Sequence, residues 1–491
     1  MIKPKQTYFD IFSVSGEQLQ ALVAKALSCG GDYCDLFFEN TTYGNLVLRD
    51  GAVNSGGSHV DFGAGVRVLS GEKTGYAYSE STAPSDLLSC AAAASAIASG
   101  RAGQAKSDGI YVESASNGGR MVKRSFKGEP NPGADRYPVA KHWRQTPMSE
   151  FLPFLSKVDE AVRKRESRCV KVIAVLSYQV SDILMYNSFG ELKYDTRPMG
   201  TVSVSAIFTQ GGKTENKSVS RSFRRGADML TGSLAEELVS EVTSGIDERF
   251  DARRPEGGVM DVVMGAGASG ILLHEAMGHA FEADFIRKGQ SIFTGKMGRR
   301  ICPEGITIVD DGTIKGNRGS LNFDDEGVPG QKTVMVEDGI LTSYLHDRIS
   351  ARHFGVSPTG NGRRESFRYA PIPRMRATYM ESGDAAPEDI IASVSKGIYV
   401  NEFSNGQVRI GEGDFTFYVK SGFLIENGHL SSPVKDINII GNGPAALGDI
   451  VAVGNDLKID DASWTCGKEQ SAPVSCGIPT VLIKNLTVGG E

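Results

Sequence analysis

The sequence predicts an α+β protein in two parts: an N-terminal α/β domain over residues 1–255 and a β-rich C-terminal domain over residues 256–491. Three observations carry this expectation. The first half alternates helical and strand-like patterns. A charged segment ending in Pro and Gly, Asp251-Ala252-Arg253-Arg254-Pro255-Glu256-Gly257-Gly258, separates it from a new apolar strand at Val259 to Met264. Beyond that point, strand-like runs joined by hairpin turns dominate.

In the first half, Leu19, Leu22, Val23, Ala26 and Leu27 form one helical stripe over Gly16 to Ser28, ended by Gly30-Gly31. Asp35 to Glu39 and Gly44 to Leu48 read as two strands, and Asp50-Gly51 as a hairpin turn. Gly65 to Leu69 and Thr74 to Tyr78 suggest a second hairpin, followed by a helix from Pro84 to Ala98. Residues 100–147 are polar and rich in Gly, Lys and Arg, and read as an excursion with one or two short strands. Leu152, Leu155, Val158 and Val162 mark a helix in which Pro153 must lie near the start. Strands are expected at Val170–Tyr178, Leu184–Tyr186 and Thr201–Phe208, and a helix around Leu234, Leu238 and Val242. In the second half, Glu337-Asp338-Gly339 and Glu426-Asn427-Gly428 are hairpin turns, and Pro387 to Lys396 is the one clear helix.

A chain of 491 residues, 40% hydrophobic and 23% charged, is a soluble globular protein with too much length for one ordinary core. Its net charge of −6 gives no general attraction to nucleic acid or anionic membrane. No segment reads as membrane-spanning, and Met1 to Phe12 lacks the apolar run of a signal peptide. Seven cysteines scattered along the chain suit a reducing compartment, so a cytoplasmic location is expected.

Chemistry concentrates in His274-Glu275-Ala276-Met277-Gly278-His279, directly after Ile271-Leu272-Leu273. Two neutral imidazoles can bind a divalent metal, and a carboxylate between them can take a proton from a water on that metal. The histidines are five apart, about 140° round an ideal helix. Both reach one metal only if the helix is widened, bent or ended between them. Gly278 permits a kink or a π-type bulge. The bland alternative is a Glu275–His279 contact on a solvated helix face.

A catalytic zinc takes three protein ligands and keeps a position for water. Glu282, Asp284, His346, His353, His429 and the cysteines are the candidates for the third. Cys466 stands out because Gly467 would allow close backbone approach and Lys468 would favour a thiolate. A buried inert thiol, or a pairing with Cys476, remains the alternative.

The segment Gly270 to His279 resembles the HExxxH signature of the TldD/PmbA family of zinc metallopeptidases, formerly described as modulators of DNA gyrase. Further resemblances are Ser357 to Ser366, Pro373-Arg374-Met375, Gly454 to Lys458, Thr465-Cys466-Gly467-Lys468 and Asn485 to Gly490. The first half is similar more loosely, through Gly31 to Asp35 and Gly63 to Val68. The resemblance implies antiparallel sheets in the C-terminal domain and zinc held by His274, His279 and Cys466, with Glu275 as general base. It also implies a dimer, either of this chain or with a TldE/PmbA-like paralogue that lacks the histidines. Cys476 has no counterpart in the family pattern, and residues 100–147 match it poorly.

The mechanism expected is Glu275-assisted attack of water on an unfolded or short extended peptide. Glu282 and Asp284 are candidates to orient the imidazoles. Arg363, Arg364, Arg368, Arg374 and Arg376 form a basic cluster, read mainly as a solvated face or as partners of Asp310-Asp311 and Asp324-Asp325-Glu326. One of them is a candidate to meet a substrate carbonyl or terminal carboxylate. The competing function is a non-enzymatic regulator of gyrase or a toxin–antitoxin pair, with a structural metal.

Overall fold

The structure is a computed structural model and describes residues 4–100 and 135–489. The first half is built on one six-stranded sheet of order β3-β2-β1-β4-β5-β6, antiparallel at every pairing. Its strands are β1 (Tyr33–Arg49), β2 (Ala52–Ser70), β3 (Lys73–Ser79), β4 (Cys169–Asn187), β5 (Leu192–Gln210) and β6 (Lys213–Phe223). The helices are α1 (Lys5–Phe12), α2 (Gly16–Ala26), α3 (Pro84–Ala98), α4 (Leu152–Arg165), α5 (Gly232–Thr243) and α6 (Ile246–Asp251).

Period-two alternation explains the layering. In β1 the side chains of Leu36, Phe38, Leu46 and Leu48 point to one face. There α1–α3 cover one end of the long strands, and α4 and α5 cover the other. Asp35, Phe37, Glu39 and Thr41 point to the opposite face, against the second half of the chain. That face is partly apolar, through Phe37, Ile183, Met185, Phe323 and Phe367. It is also ionic: Arg67 pairs with Asp35 and with Glu326, and Arg197 pairs with Asp325.

The predicted helices at 16–28, 84–98, around 152–162 and around 234–242 are all present. α2 starts with a reciprocal capping box between Ser15 and Gln18, and Pro153 sits in the first turn of α4. The expected pair of strands at 35–39 and 44–48 is one continuous strand. Polar Asn40-Thr41-Thr42 interrupt the apolar pattern, but the Thr41 hydroxyl is satisfied by Glu39 and Ser181. The strands expected at 170–178 and 184–186 are likewise one. Sequence reading missed α1, α6 and β6. Of the excursion at 100–147, residues 101–134 lie outside the described residues; 135–147 holds a single helical turn at Trp143–Gln145 and no strand.

The second half holds two larger sheets. One is six-stranded and mixed, with Ala377–Met380 running parallel to Ser475–Ile478. In the other, Lys396–Val408, Gly258–Met264, Val481–Gly489, Ile437–Asn442 and Asp414–Glu426 pair in succession, and the last pairs back to the first. This closes a five-stranded ring and removes free edges there. Both predicted hairpin turns are present, with Asp338 and Asn427 at positive φ before a glycine. The helix at Pro387–Ala392 buries Ile390. It is not alone, however: Ala283–Arg287, Arg348–Phe354 and Gly443–Gly448 are also helical. These are too short for a periodic stripe to reveal them.

Candidate metal centre

The His-Glu-His segment leaves the ring at Met264 and passes through a helical turn at Ile271–Leu273. Residues His274–Gly278 then form one π-helical turn, and the His279 N–H donates to the His274 carbonyl five positions back. This wider turn is the device that the five-residue spacing demands. It brings the two rings to a centroid distance of 4.9 Å, nearly perpendicular at 82°. Gly278 has ordinary helical angles, φ −55° and ψ −52°, so the turn does not need its flexibility. It needs its missing side chain: a Cβ there would lie 2.1 Å from the Met375 sulfur.

Cys466 arrives from a β-hairpin, Thr465–Lys468 paired with Gln470–Pro473. Its Sγ lies 3.1 Å from His279 Nε2. One ligand atom each from His274, His279 and Cys466 lie within 4.8 Å of one another, and all three residues are buried. Among the described residues, no other group of His, Cys, Asp or Glu gathers in this way. Neither cysteine is in a disulfide, and Cys476 is a separate buried thiol whose ionisation burial opposes.

The remaining candidates fall elsewhere. Buried His346 contacts Ser350, and burial pulls its pKa down to about 4. His353 pairs with Glu72, and His429 is exposed at the start of a strand. Glu282 accepts from His279 Nδ1 at 2.9 Å, whereas Asp284 reaches only Lys468 Nζ, at 2.7 Å. Glu282 is fully buried, which alone would favour its neutral form. Lys468 at 3.1 Å and His279 outweigh that and hold its pKa well below the usual carboxylate range. Lys468, expected to favour the thiolate, thus pairs with the two carboxylates instead. Gly467 is exposed with open space around it, so it serves no close approach.

Burial by itself would raise the Cys466 pKa, but the two imidazoles bring it down to about 4. Burial would lower that of His279, but Glu282 and the Cys466 sulfur lift it to about 10. Both shifts favour a thiolate beside an imidazolium, and a divalent cation would displace that proton. His274 Nδ1 is buried without a hydrogen-bond partner. Two imidazoles, a thiolate and a second carboxylate fixing one ring are a donor set that suits a borderline-soft divalent metal. Glu275 lies on the same turn, partly buried. Its Cγ is 3.2 Å from where a Cβ on Gly406 would be.

The arginine cluster is not a solvated face. Arg363, Arg364, Arg374 and Arg376 are buried, and only Arg368 is partly exposed, bonded to Asp61 and Glu80. Arg374 donates to the carbonyls of Cys466 and Gln470, at 2.7 and 2.6 Å, and so clamps both arms of the hairpin. The acidic turns are buried too: Asp310 accepts from the backbone of Arg376 and Asp325 from that of Arg364. Sequence reading offered no sign that Arg374 holds the cysteine hairpin or that Met375 packs against Gly278.

Comparison with known proteins places the chain in a family. Residues 34–98, 141–245 and 257–490 match family models for domain 1, the central domain and the C-terminal domain of the PmbA/TldA metallopeptidases. A metalloprotease TldD homolog of Haemophilus influenzae is 40% identical over 465 residues, covering 94% of this chain and 93% of its own. The chain belongs to the TldD/PmbA family. The fold of the family extends to solved structures of low identity. A putative modulator of a DNA gyrase from Thermotoga maritima has a TM-score of 0.72 at 22% identity, covering 96% of this chain and 99% of its own. TldE from Thermococcus kodakarensis has a TM-score of 0.71 at 18% identity, covering 96% of this chain and 100% of its own. Among the described residues of this family member, no helix is long and apolar enough to cross a membrane.

Proposed function

We propose that this TldD/PmbA family member is a cytoplasmic, zinc-dependent peptidase acting on unfolded or short extended peptides. The observation that carries the reading is the convergence of His274, His279 and Cys466, with Glu275 on the turn between the two imidazoles. His274, His279 and Cys466 would hold the zinc. When bound, zinc polarises a peptide carbonyl and acidifies water. Glu275 takes the proton of the attacking water and returns it to the leaving amine. Glu282 fixes the His279 ring through Nδ1 and turns Nε2 toward Cys466, where the metal would be held. Arg374 and Lys468 hold the cysteine hairpin and Glu282 in place.

A structural metal, as the regulator reading requires, is normally closed by four protein ligands. The described residues gather three, which favours the peptidase. The chain would work as two units divided between residues 255 and 256, as a homodimer or with a TldE-like paralogue. The likeness to the Thermococcus TldE fold supports such a pairing of similar shapes. The test is Glu275→Gln: peptide hydrolysis should fall by about 10²–10⁴-fold while bound zinc stays the same. Unchanged hydrolysis would refute the assignment.

A further inference from the structure

The sheet face turned toward the second half leaves a cavity of about 510 Å³, within the range of ligand sites. Phe37, Glu39, Tyr43 and Asn45 of β1 supply part of one wall, and Arg224, Arg318 and Arg363 part of another. Thr465, Ser471 and Pro473 of the cysteine hairpin also face it. Strand alternation places Cys466 and Lys468 on the other side of that hairpin. The cavity and the metal-ligand cluster are thus separated by the thickness of one hairpin.

Three guanidiniums in this wall are hydrogen-bonded without a carboxylate partner. Arg224, Arg318 and Arg363 are 5%, 7% and 4% exposed. Arg224 donates only to the carbonyls of Arg318 and Pro198. Arg318 donates to the Trp464 carbonyl, the hydroxyls of Ser222 and Thr465, and the Met199 sulfur. Arg363 donates to the carbonyls of Met375 and Pro473. Among the described residues, none of the three forms an ion pair. The carboxylates in the wall are committed elsewhere: Asp325 to Arg197 and the Arg364 backbone, Glu39 to Thr41 and the Phe367 backbone, Glu365 to the Ser471 backbone.

A buried charge held only by neutral acceptors is costly, and an anion entering the space recovers that cost. Burial pulls Arg224 and Arg318 down to about 10, and Arg363 is lowered further by burial and by its neighbours Arg376 and Arg374. Guanidinium forks match carboxylate and phosphate oxygens alike. The tyrosine, serine, threonine and amide side chains of the remaining wall suit a peptide main chain.

We propose that this cavity binds the carboxylate end of a short peptide through Arg224, Arg318 and Arg363, as a second ligand site behind the cysteine hairpin. The choice of a peptide over other oxyanions rests on the peptidase reading; the three unpaired guanidiniums do not. Occupation would act on the metal-ligand cluster through Arg318 and Arg363, which bond both arms of the hairpin that positions Cys466.

The test uses the full-length Glu275→Gln protein, so that binding is read without turnover. Acetyl-tetraalanine, its C-terminal amide and inorganic phosphate are titrated by calorimetry. The acid should bind at least tenfold more tightly than the amide and than phosphate. Arg224→Gln should remove that preference, and Arg224→Lys should retain part of it. A photoreactive form of the acid should label Tyr178 or Met199, which line the cavity. Equal affinity of acid and amide, phosphate binding as tightly as the acid, or labelling confined to the Cys466 side would each overturn the proposal. Should Arg224→Gln fail to fold, the acid–amide comparison and the labelling still decide. Absence of hydrolysis in the wild type would count against the peptidase reading and leave this binding result standing.

Discussion

His279 and Cys466 are 187 positions apart in the chain, yet Nε2 of one lies 3.1 Å from Sγ of the other inside a buried cluster. The contact depends on a π turn at one end and a clamped hairpin at the other. Each of these makes a measurable demand on the protein.

Cys466→Ala and His279→Ala should each remove most of the bound metal, because a two-ligand remnant holds a divalent ion weakly. Elemental analysis of purified wild type and variants, with peptide hydrolysis on the same samples, should show metal and activity lost together. Full metal occupancy in Cys466→Ala would contradict the three-ligand assignment.

Glu282→Gln keeps the shape and removes the charge that orients His279. Zinc affinity should drop by roughly 10–100-fold, as read by competition with a chromogenic chelator. Asp284→Asn, one step further from the imidazole, should lower it less. The opposite ranking would show that the Nδ1 contact is not what fixes the ring.

Glu39 should make stability fall as pH rises from mildly acidic to neutral, against the opposite contribution of buried His346. Glu39 is fully buried, and desolvation outweighs its bonds to Thr41 and Phe367, raising its pKa from 4.5 to about 7. The folded chain then holds more protons than the unfolded one between those values, so stability present below pH 4.5 is lost as pH passes 7. Burial shifts Asp347 to about 6 and Asp324 to about 7, in the same direction. The Glu39 share is about 2–3 kcal/mol. Urea midpoints at pH 5 and pH 8 should converge in Glu39→Gln relative to wild type.

Gly278→Ala should destabilise by about 1–3 kcal/mol, since its Cβ would meet the buried Met375 sulfur at 2.1 Å. Adding Met375→Ala should give back part of the loss in a denaturation double-mutant cycle. Simple additivity would mean that the two side chains do not compete for this space.

Much of this architecture was legible because it is local. Helical stripes at 16–28 and 84–98 and the Asp-Gly and Asn-Gly turns state their structure within a few residues. The short helices of the second half and the polar middle of β1 did not, since their formation depends on partners distant in sequence. Arg363, Arg364, Arg374 and Arg376 look solvent-facing by composition and are buried instead, because acidic turns and carbonyls elsewhere in the chain bond them.

By itself the sequence determined that two imidazoles and a glutamate share one turn, and that the chain carries enough apolar pattern for two β-based halves. Only the tertiary structure decided that the turn widens, that Cys466, which the family resemblance named, comes to 3.1 Å from His279, and that Glu282 rather than Asp284 bonds its ring. The reason is physical: spacing sets which side chains can share a face. Packing across hundreds of residues sets which faces meet, and that information lies in no single segment.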